Sequence, residues 1–251
     1  MKIVIVTAVG VGGATILGAV VGFVFRNLTY KFENIVLSFA AGVMLATSVL
    51  NLIIPSLDNG DLFSAFISVS GIFCGAICIS LLDISVKKLL SVFEKKRMSE
   101  IDKKERLHKI LLFVAAVAIH NFPEGIAAGV GFGTGNTLDA ITIAGSIALQ
   151  NFPEGMIIIA PMLSVGIGRK KALLIGILTG LTEIIGTILG YYVVTLSNFI
   201  LPFALSFAGG TMIYVICSDM IPETQSGYNK HSSAYTLISG FCLMLIIDSI
   251  L

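Results

Sequence analysis

The chain has 251 residues, 56% of them hydrophobic and only 12% charged, with a mean hydropathy of +0.97. That composition excludes an ordinary soluble domain and predicts an all-α, polytopic membrane protein. A net charge of +1, with no basic-aromatic stripe and no glycine-rich phosphate loop, gives no support to nucleic-acid or nucleotide binding.

Eight apolar segments can be drawn, over about 3–25, 35–54, 62–86, 109–132, 138–162, 170–192, 199–221 and 233–250. The first is longer than the roughly 7–15 residues of a signal-peptide core and ends in Phe25-Arg26-Asn27, without a small-residue cleavage pattern. It therefore reads as a membrane span. The connections are short except 87–108, a charged stretch expected to be a cytoplasmic loop of a single transmembrane domain covering 1–251. Fifteen of the sixteen lysines and arginines fall in the odd-numbered loops, and Lys2 alone lies on the other face. By the positive-inside rule those loops are cytoplasmic and both termini are extracytoplasmic, in a cell membrane, plasma or inner.

Span 2 carries Met44, Ser48 and Asn51. Met44 could offer a thioether ligand or be a core residue, and the other two read as helix-packing contacts. The four cysteines, Cys74, Cys78, Cys217 and Cys242, all lie in apolar segments with no CxxC spacing, so they read as small buried hydrophobes rather than a disulfide framework. His108 and His231, in or beside polar loops, read as ordinary surface histidines.

Spans 4 and 5 hold two near-copies of one motif thirty residues apart, His120-Asn-Phe-Pro-Glu124-Gly125 and Gln150-Asn-Phe-Pro-Glu154-Gly155. A glutamate at mid-membrane costs about 2.5–3.5 kcal/mol on the insertion scale and marks an ion or substrate site by default. His120 and Glu124 are four residues apart and share a helix face, as do Gln150 and Glu154. Pro123 and Pro153 cannot donate to the helix ladder, so each copy is expected to offer a helix break and a freed carbonyl, at Ile119 and Leu149. Carboxylates, amides, carbonyls and one imidazole, with no thiolate, suit a divalent metal such as zinc, manganese or iron.

Glu183, in mid-span 6, is a third buried carboxylate. Three would cost on the order of 8–10 kcal/mol uncompensated, more than many proteins' whole stability. They must hold protons or be neutralised by cations, because no lysine or arginine lies in mid-span. Asp83, Asp219, Glu223 and Asp248 fall near span ends, where interfacial carboxylates are solvated. Asp219 and Glu223, four residues apart near the cytoplasmic end of span 7, are candidates for a cation exit path.

Span 2 also resembles span 7: Ser38-Phe-Ala-Ala-Gly-Val-Met-Leu45 and Ser206-Phe-Ala-Gly-Gly-Thr-Met-Ile213 agree at five of eight positions. Each stretch later reaches a proline, Pro55 and Pro222. Spans 2 and 7 run in opposite directions, as do spans 4 and 5, and both pairings satisfy a mapping of span n onto span 9 − n. That is the pattern of an inverted repeat, spans 1–3 mirroring 6–8 with 4 and 5 between them and the site near the midplane. Small-xxx-small pairs, Gly18/Gly22, Gly71/Gly75, Gly176/Gly180 and Gly186/Gly190, predict close helix packing. A homodimer is compatible with them, but they do not by themselves show one.

The paired motif in spans 4 and 5, with Glu183 in span 6, resembles the ZIP (Zrt/Irt-like protein) metal transporters, and the match to their prokaryotic branch covers essentially the whole chain. The resemblance implies a two-metal transport site between spans 4 and 5. One position would use His120, Glu124, Gln150 and Glu154, with Met44 nearby. The other would use Asn121, Glu124, Asn151, Glu154 and Glu183, the shared glutamates bridging the metals. Many relatives have histidine where Gln150 stands and some have aspartate where Asn151 stands, so both positions are poorer here in strong ligands. The loop between spans 3 and 4, histidine-rich in many eukaryotic relatives, holds only His108.

The expected function is transport of Zn2+, or of iron, manganese, cobalt or cadmium, across the bilayer into the cytoplasm. The metal is cargo, and no cofactor is expected. The chain has no ATP-binding motif, so gradients must drive it. The alternative is a cation channel or a proton-coupled carrier of another cation. An intramembrane metal-dependent hydrolase fits less well, since HExxH is absent, only one histidine lies in a span, and the ExxH of di-iron bundles is missing. The chain is not expected to be an enzyme.

Overall fold

The computed structural model describes residues 1–25, 29–57, 62–95, 121–164, 167–196, 200–225 and 230–250. Among them nearly every residue is helical and none is in a strand. Helix α1 is Lys2–Val24. Helix α2 is Tyr30–Ala46, continuing through a π-helical stretch, Thr47–Ile53, into Ile54–Ser56. Helix α3 is Leu62–Lys95. Helix α4 covers 121–130 and ends in a 3-10 turn, Gly131–Thr134. Helices α5 and α6 are Thr137–Ser164 and Arg169–Leu196. Helix α7 is Leu201–Val215, followed by π-helical Ile216–Met220 and then Ile221–Gln225, and α8 is Lys230–Ile250.

Six of these, α1, α2 through Ser56, α3, α6, α7 through Gln225 and α8, are long and apolar enough to cross a bilayer. The two motif-bearing helices are not among the six. Residues 109–120, where span 4 is expected to begin, lie outside the described residues, and α5 carries Gln150, Asn151 and Glu154 in mid-helix.

Helix ends follow local chemistry. α2 begins earlier than its apolar run because Thr29 caps it: the hydroxyl accepts from the Phe32 amide at 3.3 Å, and Glu33 sits in the first turn at the positive end of the helix dipole. Gly135, at φ 76°, stops the turn after α4 in the left-handed region. The Asn136 side chain then accepts from the Leu138 amide at 3.0 Å to start α5. α3 runs on to Lys95, so the first part of the expected 87–108 loop is helical, and residues 96–108 lie outside the described residues.

The prolines act differently from expectation. Pro55 and Pro222 follow the two π-helical stretches, and the carbonyls four residues before them, Asn51 and Ser218, lie inside those stretches. A proline ring clashes with that carbonyl, and widening the turn relieves the clash. Pro153, by contrast, does not break α5, which stays α-helical from Thr137 to Ser164. A single proline is absorbed where neighbouring helices support the backbone. The expected helix break at the second motif copy is therefore absent, although Leu149 still lacks its proline donor. Ile119, its counterpart, lies outside the described residues.

Glycines set the crossings. Gly12 and Gly180 each lie against the other's carbonyl where α1 crosses α6, with no room for a Cβ at either. Similar contacts recur in matched pairs. Gly18 meets the Phe152 carbonyl and Gly186 that of Phe122; Gly22 meets Met156 and Gly190 meets Ile126. Gly42 meets Leu237 and Gly210 meets Ile72; Gly75 meets Phe207 and Gly240 meets Phe39. Matched positions are 168 residues apart between α1 and α6 and between α2 and α7, 165 between α3 and α8, and 30 between α4 and α5. Hydrogen bonds keep the same offsets. Ser68 donates to the Ser56 carbonyl at 2.8 Å, and Ser233 to that of Thr224 at 3.0 Å.

The main core gathers Met44, Leu52, Ala127, Ala128, Ile147, Leu205 and Met212. Facing outward, α3 exposes Phe63, Phe66, Phe73, Ile77 and Leu81, as a helix does when hydrocarbon is its solvent. The four cysteines are free and exposed rather than buried. A thiol behaves as a small hydrophobe, and an apolar outer face accommodates it as well as a core does.

Candidate metal site

Polar side chains from α1, α4, α5 and α6 converge in the interior. Asn121 and Glu124 on α4 are 2% and 1% exposed, and Gln150 and Asn151 on α5, Glu183 on α6 and Thr15 on α1 are fully buried. Glu154 is partly buried. The glycine that ends each motif copy brings them together. Gly125 lies against the Glu183 main chain and Gly155 against that of Thr15, so each motif glutamate is carried next to the opposing helix.

Glu183 is the hub. Its Oε1 accepts from the Thr15 hydroxyl at 2.6 Å and from Asn121 Nδ2, and its Oε2 accepts from Asn151 Nδ2 at 2.6 Å. Glu124 Oε1 accepts from Gln150 Nε2 at 3.3 Å. Four buried oxygens, Glu124 Oε2, Gln150 Oε1, Asn151 Oδ1 and Glu154 Oε1, have no hydrogen-bond partner among the described residues. Buried polar atoms are nearly always paired, and each orphan costs about 1–3 kcal/mol. Four acceptors without a donor, two of them carboxylate oxygens, describe an environment that a cation satisfies. Among the described residues no three His, Cys, Asp or Glu side chains are grouped closely enough to hold a metal by themselves.

Of the residues expected at the site, Asn121 and Asn151 are hydrogen-bonded to Glu183 and Gln150 to Glu124, as two separate sets, and Glu154 presents a buried orphan oxygen. His120 lies outside the described residues. Met44 is buried in the main core cluster, which also holds Ala127, Ala128 and Ile147, residues about one helical turn along their own helices from Glu124 and Gln150. Asp219 and Glu223 are exposed at the far end of α7, where Ser218 donates to Asp219 at 3.0 Å and Glu223 faces Glu33. Of the two polar residues lower on α2, Ser48 donates to its own helix, to the Met44 carbonyl at 2.7 Å, so it joins no neighbour. Asn51 does: it donates to Asp248 on α8 at 2.8 Å and leaves its own Oδ1 unpartnered. Asn51 and Asp248 line a cavity of about 270 Å³, together with Pro55, Asp139 and Thr142. From it, Asp139, Thr142, Ser146, Gln150 and Glu154 follow one face of α5 at three- and four-residue spacing.

Thr15 was not among the expected residues. A signal for it exists in the sequence: Gly12-x-x-Thr15-x-x-Gly18-x-x-x-Gly22 matches Gly180-x-x-Glu183-x-x-Gly186-x-x-x-Gly190 at every glycine.

A helical, apolar-surfaced fold enclosing a carboxylate and amide cluster defines an integral membrane protein with a polar site in its interior. The family model described as ZIP Zinc transporter matches residues 93–248. The chain is 30% identical to the zinc transporter ZIPB of Bordetella bronchiseptica over 95% of its own length and 78% of that protein's. It is 32% identical to the zinc transporter ZupT of Chlorobaculum parvum, over 94% and 92%, and 30% identical to the zinc transporter ZIP11 of Xenopus tropicalis, over 94% and 93%. The chain belongs to the ZIP zinc transporter family, whose members are transporters and not enzymes.

Proposed function

We propose that this chain carries divalent transition-metal ions, zinc first, into the cytoplasm through a binuclear site between α4 and α5. The observation that carries the reading is the set of four buried, unpartnered oxygens on Glu124, Gln150, Asn151 and Glu154. The names of its zinc-transporting relatives agree with it. Glu124 and Glu154 bridge two cations. His120 and Gln150 complete one position, with Met44 close by, and Asn121, Asn151 and Glu183 the other.

The proposed topology is eight spans with extracytoplasmic termini, in a cell membrane, with 87–108 in the cytoplasm. It is an inverted repeat in which α1, α2 and α3 correspond to α6, α7 and α8 in that order, and α4 to α5. The recurring offsets of 168, 165 and 30 residues support this correspondence, and it replaces the n to 9 − n mapping at spans 1, 3, 6 and 8. A homodimer is compatible with this reading and is not required by it.

Metal enters at the cavity beside Asn51, Asp139 and Asp248. It follows α5, where the Thr142 and Ser146 hydroxyls donate to main-chain carbonyls at 2.9 and 2.6 Å and keep lone pairs for a cation. The carboxylates replace water lost at the site. The resemblance implies that the site-bearing helices then slide against the rest, opening the site toward Asp219 and Glu223. A charge of 2+ falling through the membrane potential gains about 4.6 kcal/mol per 100 mV, inside negative, enough for roughly three decades of accumulation.

Equilibrium titration of the detergent-purified protein with zinc tests the site. Two zinc ions per chain are expected for the wild type, with loss of both in Glu124→Ala. A single ion, unaffected by that substitution, contradicts the binuclear reading.

A further inference from the structure

Thr15 is fully buried on α1, outside both motif copies, and its hydroxyl crosses to another helix to donate to Glu183 Oε1 at 2.6 Å. Several buried hydroxyls bond carbonyls of their own helix, Thr47 to Val43 at 3.0 Å, Ser48 to Met44 at 2.7 Å and Thr187 to Glu183 at 2.9 Å, and those of Ser68 and Ser233 reach main-chain carbonyls of a neighbouring segment, whereas Thr15 reaches a carboxylate. Thr15 thus gives up the local bond that a helical threonine ordinarily makes. Its position is as informative as its bond. Gly12 and Gly18 flank it as Gly180 and Gly186 flank Glu183, and Gly155 packs on its main chain as Gly125 packs on that of Glu183. Thr15 therefore stands on α1 where Glu183 stands on α6, and the two meet across the Gly12/Gly180 crossing.

We propose that Thr15 is a positioning residue for metal binding: its hydroxyl fixes the rotation of the Glu183 carboxylate, so that an Oε2 lone pair not used by Asn151 faces the cations. The inference rests on the metal-site reading above. The terminal torsion of a glutamate is broad and is fixed only by what its oxygens bond. Asn121 and Asn151 each hold one oxygen, from α4 and α5, the helices that also carry the metal ligands. Thr15 holds Glu183 from α1, a helix that supplies no expected ligand. It keeps the carboxylate oriented when the two asparagines turn to a metal. Groups that orient a ligand in this way typically change metal affinity about 10- to 100-fold when removed.

The test is labelled zinc uptake by proteoliposomes holding wild type, Thr15→Val, Thr15→Ser or Glu183→Gln. Thr15→Val keeps the shape and removes the hydroxyl. It is expected to raise KM for zinc about tenfold with Vmax within about twofold, while Thr15→Ser stays within about twofold of wild type in both. Wild-type KM in Thr15→Val beside an impaired Glu183→Gln overturns the proposal and leaves the metal site standing. Equal impairment of Thr15→Val and Thr15→Ser overturns it too, because packing rather than the hydroxyl would then matter. Unimpaired Glu183→Gln overturns the metal-site reading and this inference with it. Should Thr15→Val not elute as a single folded species, Thr15→Ala against Thr15→Ser is read by the same criteria.

Discussion

Gly125 lies against the main chain of Glu183 with no room for a side-chain carbon between them, and Gly155 lies in the same way against Thr15. The glycine after each motif glutamate thus lets α4 approach α6, and α5 approach α1, beside the Glu183 carboxylate that Asn121 and Asn151 reach. A methyl group at either position forces the helices apart, at about 1–3 kcal/mol for overpacking. Gly125→Ala and Gly155→Ala are each expected to lower the thermal unfolding temperature and to cut zinc uptake at least tenfold, a loss larger than their stability change accounts for. Wild-type uptake by both would mean that this spacing does not set the site.

Asn151 both donates to Glu183 and presents an unpartnered oxygen. Asn151→Leu keeps most of the volume and removes both functions. A hydrogen bond to a charged group contributes about 1.5–3 kcal/mol, so the KM for zinc should rise about ten- to a hundredfold in uptake assays. Asn151→Asp adds a carboxylate oxygen and should instead bind zinc more tightly in equilibrium titration.

The cavity beside Asp248 gives a prediction that depends on salt. Asp248→Asn keeps the shape and removes one negative charge from the mouth. Attraction of a cation to an exposed charge is screened over about 8 Å at physiological ionic strength. The initial uptake rate should therefore fall about threefold at low ionic strength and by much less at 0.15 M salt. A loss of equal size at both would place Asp248 in metal binding rather than in steering.

Orientation can be read directly. In a background without the four native cysteines, Asn136→Cys sits in the turn between α4 and α5, and Lys170→Cys at the start of α6. A membrane-impermeant maleimide should label the first in intact cells and the second only after permeabilisation. The reverse pattern inverts the topology.

Hydropathy and charge are properties of single segments, so the sequence made six of the span-length helices legible and marked Glu124 and Glu183 as carboxylates inside apolar segments. The correspondence between halves was half legible. Spans 2 and 7 and spans 4 and 5 are the pairs from which the sequence reading started, and both n to 9 − n and the order-preserving correspondence contain those pairs. The glycine series shared by α1 and α6, and the glycine contacts of α3 and α8 with α7 and α2, favour the order-preserving one. Pro153 suggested a break because local propensity disfavours it, yet packing keeps α5 whole. Pro55 and Pro222 were noticed only as markers, and their effect, a widened turn inside each helix, is a backbone accommodation that no letter encodes. The cysteines looked buried because an apolar stretch does not reveal which of its faces meets hydrocarbon and which meets protein. Thr15 escaped notice because its partner lies 168 residues away.

The central claim is that the paired motif carries metal across the membrane. Radiolabelled zinc uptake into liposomes holding the purified protein, with Glu154→Ala alongside, tests it most directly. Saturable uptake by the wild type that disappears in the variant is the predicted result. Equal uptake by both proteins would contradict the account, making the motif structural and placing the site elsewhere.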